Sequence, residues 1–307
     1  MSFNQERIHK ILITGASGLI GGELIPTLEA KGHEIYKLSR KAAKGAKEIQ
    51  WDAELGFSES EQAKLENFDA VVHMVGENVA GGSWTEEKKR RIRDSRVVGT
   101  RTLVDAFKKT KDPPKIFVSA SAIGFYGDRG DEPVDEKSAP GKGFLAEMCA
   151  EWEAESKKAN DFGARVVMPR IGIVLTKDGG ALGKMVTPFK FGLGGKMGSG
   201  KHWMSWIAID DLIRIVHFAL ENEDLQGAIN ASAPNPVTNE EFTKTLGKVL
   251  HRPTFFTMPE FAIKLMFGEM GETLLLEGQR VLPKKLQDAG FEFKFENLED
   301  AFKNVLE

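Results

Sequence analysis

The chain has 307 residues, 41% of them hydrophobic, enough to fill one large core or two that share an interface. Its 42 basic and 45 acidic residues are interspersed and leave a formal net charge of -3, so no global field favours nucleic acid or an anionic membrane. Cys149 is the sole cysteine, which excludes an intrachain disulfide and suits a reducing compartment.

In chain order, the opening MSFNQERIHK lacks the apolar stretch of a secretory signal, and no apolar run is long enough to span a bilayer; a cytoplasmic protein is expected. Residues 10–22, KILITGASGLIGG, read as a strand, a glycine turn and a helix. Gly15, Gly18 and Gly21 suit a tight turn, a backbone close to a pyrophosphate and a helix packed near its strand. The helix N-terminus then offers free N–H groups and its positive dipole end to phosphates.

A second strand spans 33–38 and ends in Ser39 and Arg40. Dinucleotide folds that bind NAD carry an acidic residue about 20 residues past the glycines, whereas a basic one accommodates a 2′-phosphate. A hydroxyl and a planar guanidinium therefore point to NADP, although a surface arginine at a loop start reads the same in isolation. A third strand at 48–51 stops at Asp52, where a carboxylate can stand beside an adenine amino group; Trp51 reads as core.

A fourth strand, 70–74, is closed by Gly76, with His73 read as a core histidine. The six histidines show no metal-ligand spacing, and no metal is expected. Residues 84–109 form a long helix whose basic run, 88–93, follows Glu86 and Glu87 and reads as a solvated face rather than a nucleic-acid patch. A fifth strand, 116–119, precedes the polar, glycine-containing loop SASAIGFYGDRGDEP, where active-site residues emerge in such folds.

TGASGLIG at 14–21, DAVVHMVG at 69–76, VVGT at 97–100 and SASAIGFYG at 119–127 together resemble an extended short-chain dehydrogenase/reductase of the nucleotide-sugar epimerase and dehydratase group. GENVAGGSWTEEKKRRIRDSRVVGTRTLVDAF, FLAEMCAEWE, GSGKHWMSWIAIDDL, NASAPNPVTNEEF and LLLEGQRVLPKKLQDAGFEF resemble one atypical subgroup, the "epimerase family" proteins sometimes named cell-division-inhibitor homologues. The resemblance covers nearly the whole chain. It implies a Rossmann-type, doubly wound parallel α/β sheet with a smaller C-terminal α+β substrate lobe. The boundaries expected are 1–175 and 204–232 for the NADP-binding domain, and 176–203 and 233–307 for the substrate side.

The resemblance also distributes the cofactor contacts. Gly15, Ser17, Gly18, Leu19 and Ile20 line the pyrophosphate, and Ser39 and Arg40 take the 2′-phosphate. Met74, Val75 and Gly76 lie at the adenosine side, and Ser119, Ala120 and Ser121 under the nicotinamide. Arg96 stands where the wider superfamily has asparagine, as is usual in this subgroup, and a cation there can reach cofactor phosphate. MPRIGIVL, with Arg170 and Ile173, resembles the segment flanking the nicotinamide ring.

The superfamily moves protons with a tyrosine whose phenolate is stabilised by a lysine four residues later. Phe144 and Met148 occupy those places here, and neither exchanges a proton or supplies a charge. Of the two tyrosines, Tyr36 belongs to the second strand and Tyr126 matches a structural tyrosine of the family. Ser121 remains as a catalytic candidate able to donate a hydrogen bond to a substrate oxygen. Glu147 is a weaker one, a base if buried but otherwise one solvated carboxylate among Glu151, Glu153 and Glu155. Lys201 and His202 fall in a loop that contacts substrate in relatives.

Residues 177–200, rich in glycine and interleaved with Met185, Phe189, Phe191 and Met197, suggest a pliable lid. Helices follow at 210–220, 239–250 and 259–270, with a closing strand at 291–295. The sequence thus points to an NADP(H)-binding protein, an oxidoreductase or nucleotide-sugar epimerase by class with a degenerate catalytic pair. The alternative is a non-catalytic NADP(H) sensor. Its substrate is an unidentified small molecule, and the protein is expected to be a monomer or homodimer.

Overall fold

The computed structural model describes residues 9–177 and 179–306; all but two residues of the MSFNQERIHK stretch, and with them the reading made of it, lie outside the described residues. Lys10–Thr14 (β1) passes through the glycine turn into Leu19–Ala30 (α1), and Glu34–Ser39 (β2), Glu48–Gln50 (β3), Glu59–Gln62 (α2) and Ala70–His73 (β4) follow. Glu86–Phe107 (α3) crosses to Ile116–Ser119 (β5). Ser121–Ala122 (β6), Pro133–Val134 (β7) and Phe144–Lys157 (α4) lead to Arg165–Ile171 (β8) and Ile173–Leu175 (β9).

Beyond these come Gly180–Lys190 (α5), Gly195–Met197 (β10), Trp203–Met204 (β11), Trp206–Ala208 (β12), Ile209–Glu221 (α6) and Gly227–Ala231 (β13). The chain closes with Val237–Thr238 (β14), Asn239–Val249 (α7), Phe256–Met258 (β15), Glu260–Leu275 (α8), Arg280–Val281 (β16), Lys284–Asp288 (α9) and Leu298–Leu306 (α10).

The main sheet is parallel in the order β13-β8-β5-β4-β1-β2-β3, with β6 extending alongside β8. This is the doubly wound order, and its switch point lies between β1 and β4, where a crevice opens outside the strand C-termini. Helices cover both faces, so the central strands read as unbroken apolar runs: Ile11, Leu12 and Ile13 of β1 and Ala70, Val71 and Val72 of β4 are fully buried. α3 starts where Thr85 accepts the Lys88 amide and Glu86 and Glu87 face the positive helix end. Trp51 is core, as its place in the sequence indicates.

A third apolar cluster joins Leu182 and Phe189 of α5, Trp206 of β12, Phe242 of α7 and Phe302 of α10. Met270, Val281, Leu286 and Phe291 instead pack into the core of the sheet itself.

Two expectations are corrected. Residues 291–295 form no strand, because the Lys294 and Phe295 amides donate at 2.9 Å to the two oxygens of the Asp211 carboxylate rather than to a neighbouring strand. The SASAIGFYGDRGDEP stretch is in part a 3-10 turn, Ile123–Tyr126, that buries Phe125 and Tyr126. Within the glycine-rich segment, α5 buries Leu182 and Phe189 on the helix face that meets the third cluster, which supplies the apolar contacts expected of it.

Candidate cofactor site

The turn after β1 is closed by the Gly18 amide donating to the Gly15 carbonyl at 2.9 Å. Gly15 has φ of +71, and a Cβ there would stand 2.8 Å from the Met74 carbonyl oxygen at the end of β4. A Cβ on Gly21 would stand 2.4 Å from the Gly15 carbonyl oxygen, so turn and helix meet only without side chains. Gly18 caps α1 with no side-chain bond, and the first turn of α1 carries no acidic residue. The N–H groups of that turn are therefore available to an anion, beside the exposed Ser17 and Gly18. This cradle fits a dinucleotide pyrophosphate. Ile20 packs into the sheet core, and Leu19 meets Gly179 and Gly180 at the start of α5.

Arg40 is exposed at the C-terminal end of β2, on the rim of the same crevice. Ser39 Oγ accepts the Lys41 amide at 3.1 Å and shapes the bend that presents this arginine. Asp52 does turn work: its Oδ1 accepts the amides of Glu54 and Leu55, both at 2.8 Å, and these bonds hold the carboxyl below its usual range, with Arg40 adding to the effect. Of its two oxygens only Oδ2 is left to face an adenine.

On the β4 side the Met74 amide donates to Thr14 Oγ1 at 3.0 Å, and the Glu77 amide to Ser95 Oγ at 2.9 Å, fixing residues 74–77 between β1 and α3. Val75 packs against the opposite core. His73 is core, as the sequence indicates: it is fully buried between Thr14 and Thr100, at 2.8 and 3.0 Å, and burial drops its pKa to about 3. The Arg96 guanidinium lies against Gly76 and donates to the carbonyls of Glu77 and Ile92 at 3.0 and 3.1 Å. Both bonds go to uncharged oxygens, and burial lowers its pKa, so this cation is suited to an anion in the crevice.

The floor beneath is a buried polar network. Ser121 Oγ donates to Glu153 Oε1 at 2.8 Å, and Arg170 clamps the same carboxylate through Nε and Nη2 at 2.7 and 2.9 Å. Arg170 Nη1 donates to the Tyr126 hydroxyl at 2.9 Å, which donates to Asn230 Oδ1 at 2.6 Å. Burial pushes the Tyr126 phenol up to about 12, and it titrates too high to serve as a base. Because the Ser121 proton is committed to Glu153, the hydroxyl has only lone pairs left to offer and is an acceptor, which corrects the donor role expected from the sequence.

The other residues singled out in the sequence are placed as follows. Ser119 Oγ accepts from Ser156 within the core, and the Arg170 guanidinium is paired with Glu153, so both side chains have partners inside the fold. The Ala120 and Ile173 amides are used within the fold, donating to the His73 and Ser205 carbonyls at 2.9 and 2.8 Å. Glu147 is exposed, and the burial its role as a base requires is missing. Glu153 is the residue the sequence reading missed: it is 2% exposed, not solvated, and Glu155 is buried against Arg101 and Lys158. A helical offset of four from Cys149, itself buried, is the signal that places Glu153 on the inward face of α4. Phe144 stacks edge-on against Trp84 at 5.2 Å, and Met148 is buried. Burial also raises the Cys149 thiol to about 12. Lys201 is exposed, and burial lowers the half-buried His202.

The basic run at 88–93 is interleaved with carboxylates: Lys88 bonds Glu77 at 2.7 Å, Lys89 bonds Glu269, and Arg93 bonds Glu151. Far from the crevice, the histidines are less scattered than their spacing suggests, since His33, His217 and Glu221 come within 4.8 Å of one another beside His9. The His9 amide donates to His33 Nδ1 at 3.2 Å. That places the neutral ring's proton on Nε2, the atom a metal needs bare. No helix among the described residues is long and apolar enough to cross a membrane.

Fold and crevice together define a Rossmann-type dinucleotide protein of the extended short-chain class. Residues 11–232 match the NAD dependent epimerase/dehydratase family and residues 258–305 a domain of unknown function, and the chain belongs to that epimerase/dehydratase family. It is 39% identical over 291 residues to an epimerase family protein of Mycobacterium bovis, covering 95% of each chain. It is 35% identical over 300 residues to human epimerase family protein SDR39U1, covering 97% of this chain and 99% of the other. The crystal structure of the human protein with NADPH superposes with a TM-score of 0.88, over 96% of this chain and 98% of that one. A UDP-glucose 4-epimerase from Thermus thermophilus in complex with NAD shares the fold, with a TM-score of 0.75 at 19% identity.

Proposed function

We propose that this protein binds NADPH and acts as an oxidoreductase on a small carbonyl or alcohol, by a route that does without the family's tyrosine and lysine. One observation carries the reading: the uncapped glycine turn faces the crevice with Arg40 exposed on its rim. The human relative crystallised with NADPH supports the choice of cofactor. In the bound state α1 and Gly15–Gly18 hold the pyrophosphate, Arg40 and Ser39 the 2′-phosphate, and Arg96 a phosphate or ribose from beneath. The cofactor supplies a transferable hydride. Ser121, accepting rather than donating, orients a carboxamide N–H or a substrate hydroxyl.

A second reading, a cofactor-sensing module without turnover, is favoured by Phe144 and Met148, since neither moves a proton. The two are separated by incubating protein and NADPH with a panel of carbonyls and nucleotide sugars while following nicotinamide absorbance. Oxidation that Ser121→Ala reduces supports the enzyme. Tight NADPH binding with no turnover across the panel supports the sensor, and absence of NADPH binding overturns both.

A further inference from the structure

Eight large apolar side chains stand in solvent on the C-terminal lobe. Phe191 and Leu193 follow α5, Phe255, Phe256 and Met258 form or adjoin β15, and Phe261, Leu265 and Met266 lie on α8, with exposures from 37% to 90%. These segments are neighbours. Arg252 donates to the Lys190 carbonyl at 2.9 Å, and β10 pairs in parallel with β15, Gly195 opposite Phe256 and Met197 opposite Met258. At the 150–250 Å² that an aromatic side chain carries, the four phenylalanines alone offer on the order of 600 Å². Adding the leucines and methionines brings the face to roughly the 800 Å² each partner contributes to a standard interface, above the largest apolar patch of an ordinary monomer.

β15 is an edge strand as well. All three of its residues are exposed, and among the described residues its only strand neighbour is β10. An exposed apolar edge is a template for another strand. We infer that the occupant is a second copy of this chain, related by a two-fold axis that pairs β15 antiparallel with itself. A three-residue strand across such an axis sets Thr257 opposite Thr257, and Phe256 opposite Met258 of the second copy. The apolar residues of α8 and of the turn after α5 then close around the paired edges. A membrane is the poorer occupant. Helices that lie on anionic lipid carry cations on the polar face. α8 carries Glu260, Glu269 and Glu272 against Lys264, which is itself paired with Glu272 at 2.7 Å.

The test uses the full, untagged chain. Light scattering over a dilution series is expected to give a particle of twice 33.9 kDa, and Phe256→Asp or Leu265→Asp to halve that mass while NADPH affinity is unchanged. Thr257→Cys is expected to form a covalent dimer under mild oxidation, since directly opposed residues on antiparallel strands fall within disulfide range. The wild-type chain is expected to form none, because Cys149 is buried. A wild-type chain that stays monomeric, including one that sediments as a monomer with anionic vesicles, overturns the inference. So does a dimer indifferent to both aspartates, or a Thr257→Cys protein that does not cross-link.

Discussion

The Arg96 guanidinium and the Gly76 backbone occupy adjoining space so closely that a Cβ on residue 76 would stand 2.7 Å from Arg96 Cζ. A glycine at the end of β4 is therefore a condition for a cation in the crevice. Gly76→Ala is expected to displace the guanidinium and weaken NADPH binding by about tenfold, or about 1.4 kcal/mol. The melting temperature should change little, because the displaced group borders the crevice. Fluorescence titration of NADPH checks this, and unchanged affinity would separate Arg96 from the cofactor.

The floor of the site makes a prediction about stability. Glu153 is buried and clamped by Arg170, so Glu153→Gln leaves a buried guanidinium without its counter-charge. Breaking such a pair from one side costs about 3–5 kcal/mol. Replacing both partners with methionine should recover most of that loss, since neither charge is then stranded. Urea unfolding of the single and double variants measures both effects.

Acid sensitivity follows from His73. Its pKa falls from 6.5 to about 3 on folding because the buried ring is held neutral. The unfolded chain binds one proton more throughout that window. His73 therefore stabilises the fold fully above its unfolded value, and its contribution declines by about 1.4 kcal/mol per pH unit as pH falls towards 3. His73→Gln is expected to start less stable at neutral pH, having lost ring bonds to Thr14 and Thr100, and to show a shallower loss between pH 6 and 3. Unfolding curves across that range give the two slopes.

Much of the fold and the cofactor crevice was legible because the determinants are local. An apolar run, three glycines and a helix specify β1, the turn and α1 within thirteen residues, and the end of β2 lies one strand away. What was hidden depends on contacts distant in the chain. Glu153 looks like its solvated neighbours until β8 brings Arg170 beneath it. Residues 291–295 carry a strand's composition, but Asp211 takes their amides. Phe144 and Met148 were read correctly as empty of chemistry, since that follows from residue type alone.

The central claim is that the glycine turn and Arg40 hold a dinucleotide bearing a 2′-phosphate. The most direct measurement compares the affinities of NADPH and NADH for the wild-type chain and for Arg40→Ala. The expected result is a preference for NADPH of about tenfold or more that falls close to unity in the variant, with NADH affinity unchanged. Equal affinities in the wild-type chain, or a preference that survives the loss of Arg40, would contradict it.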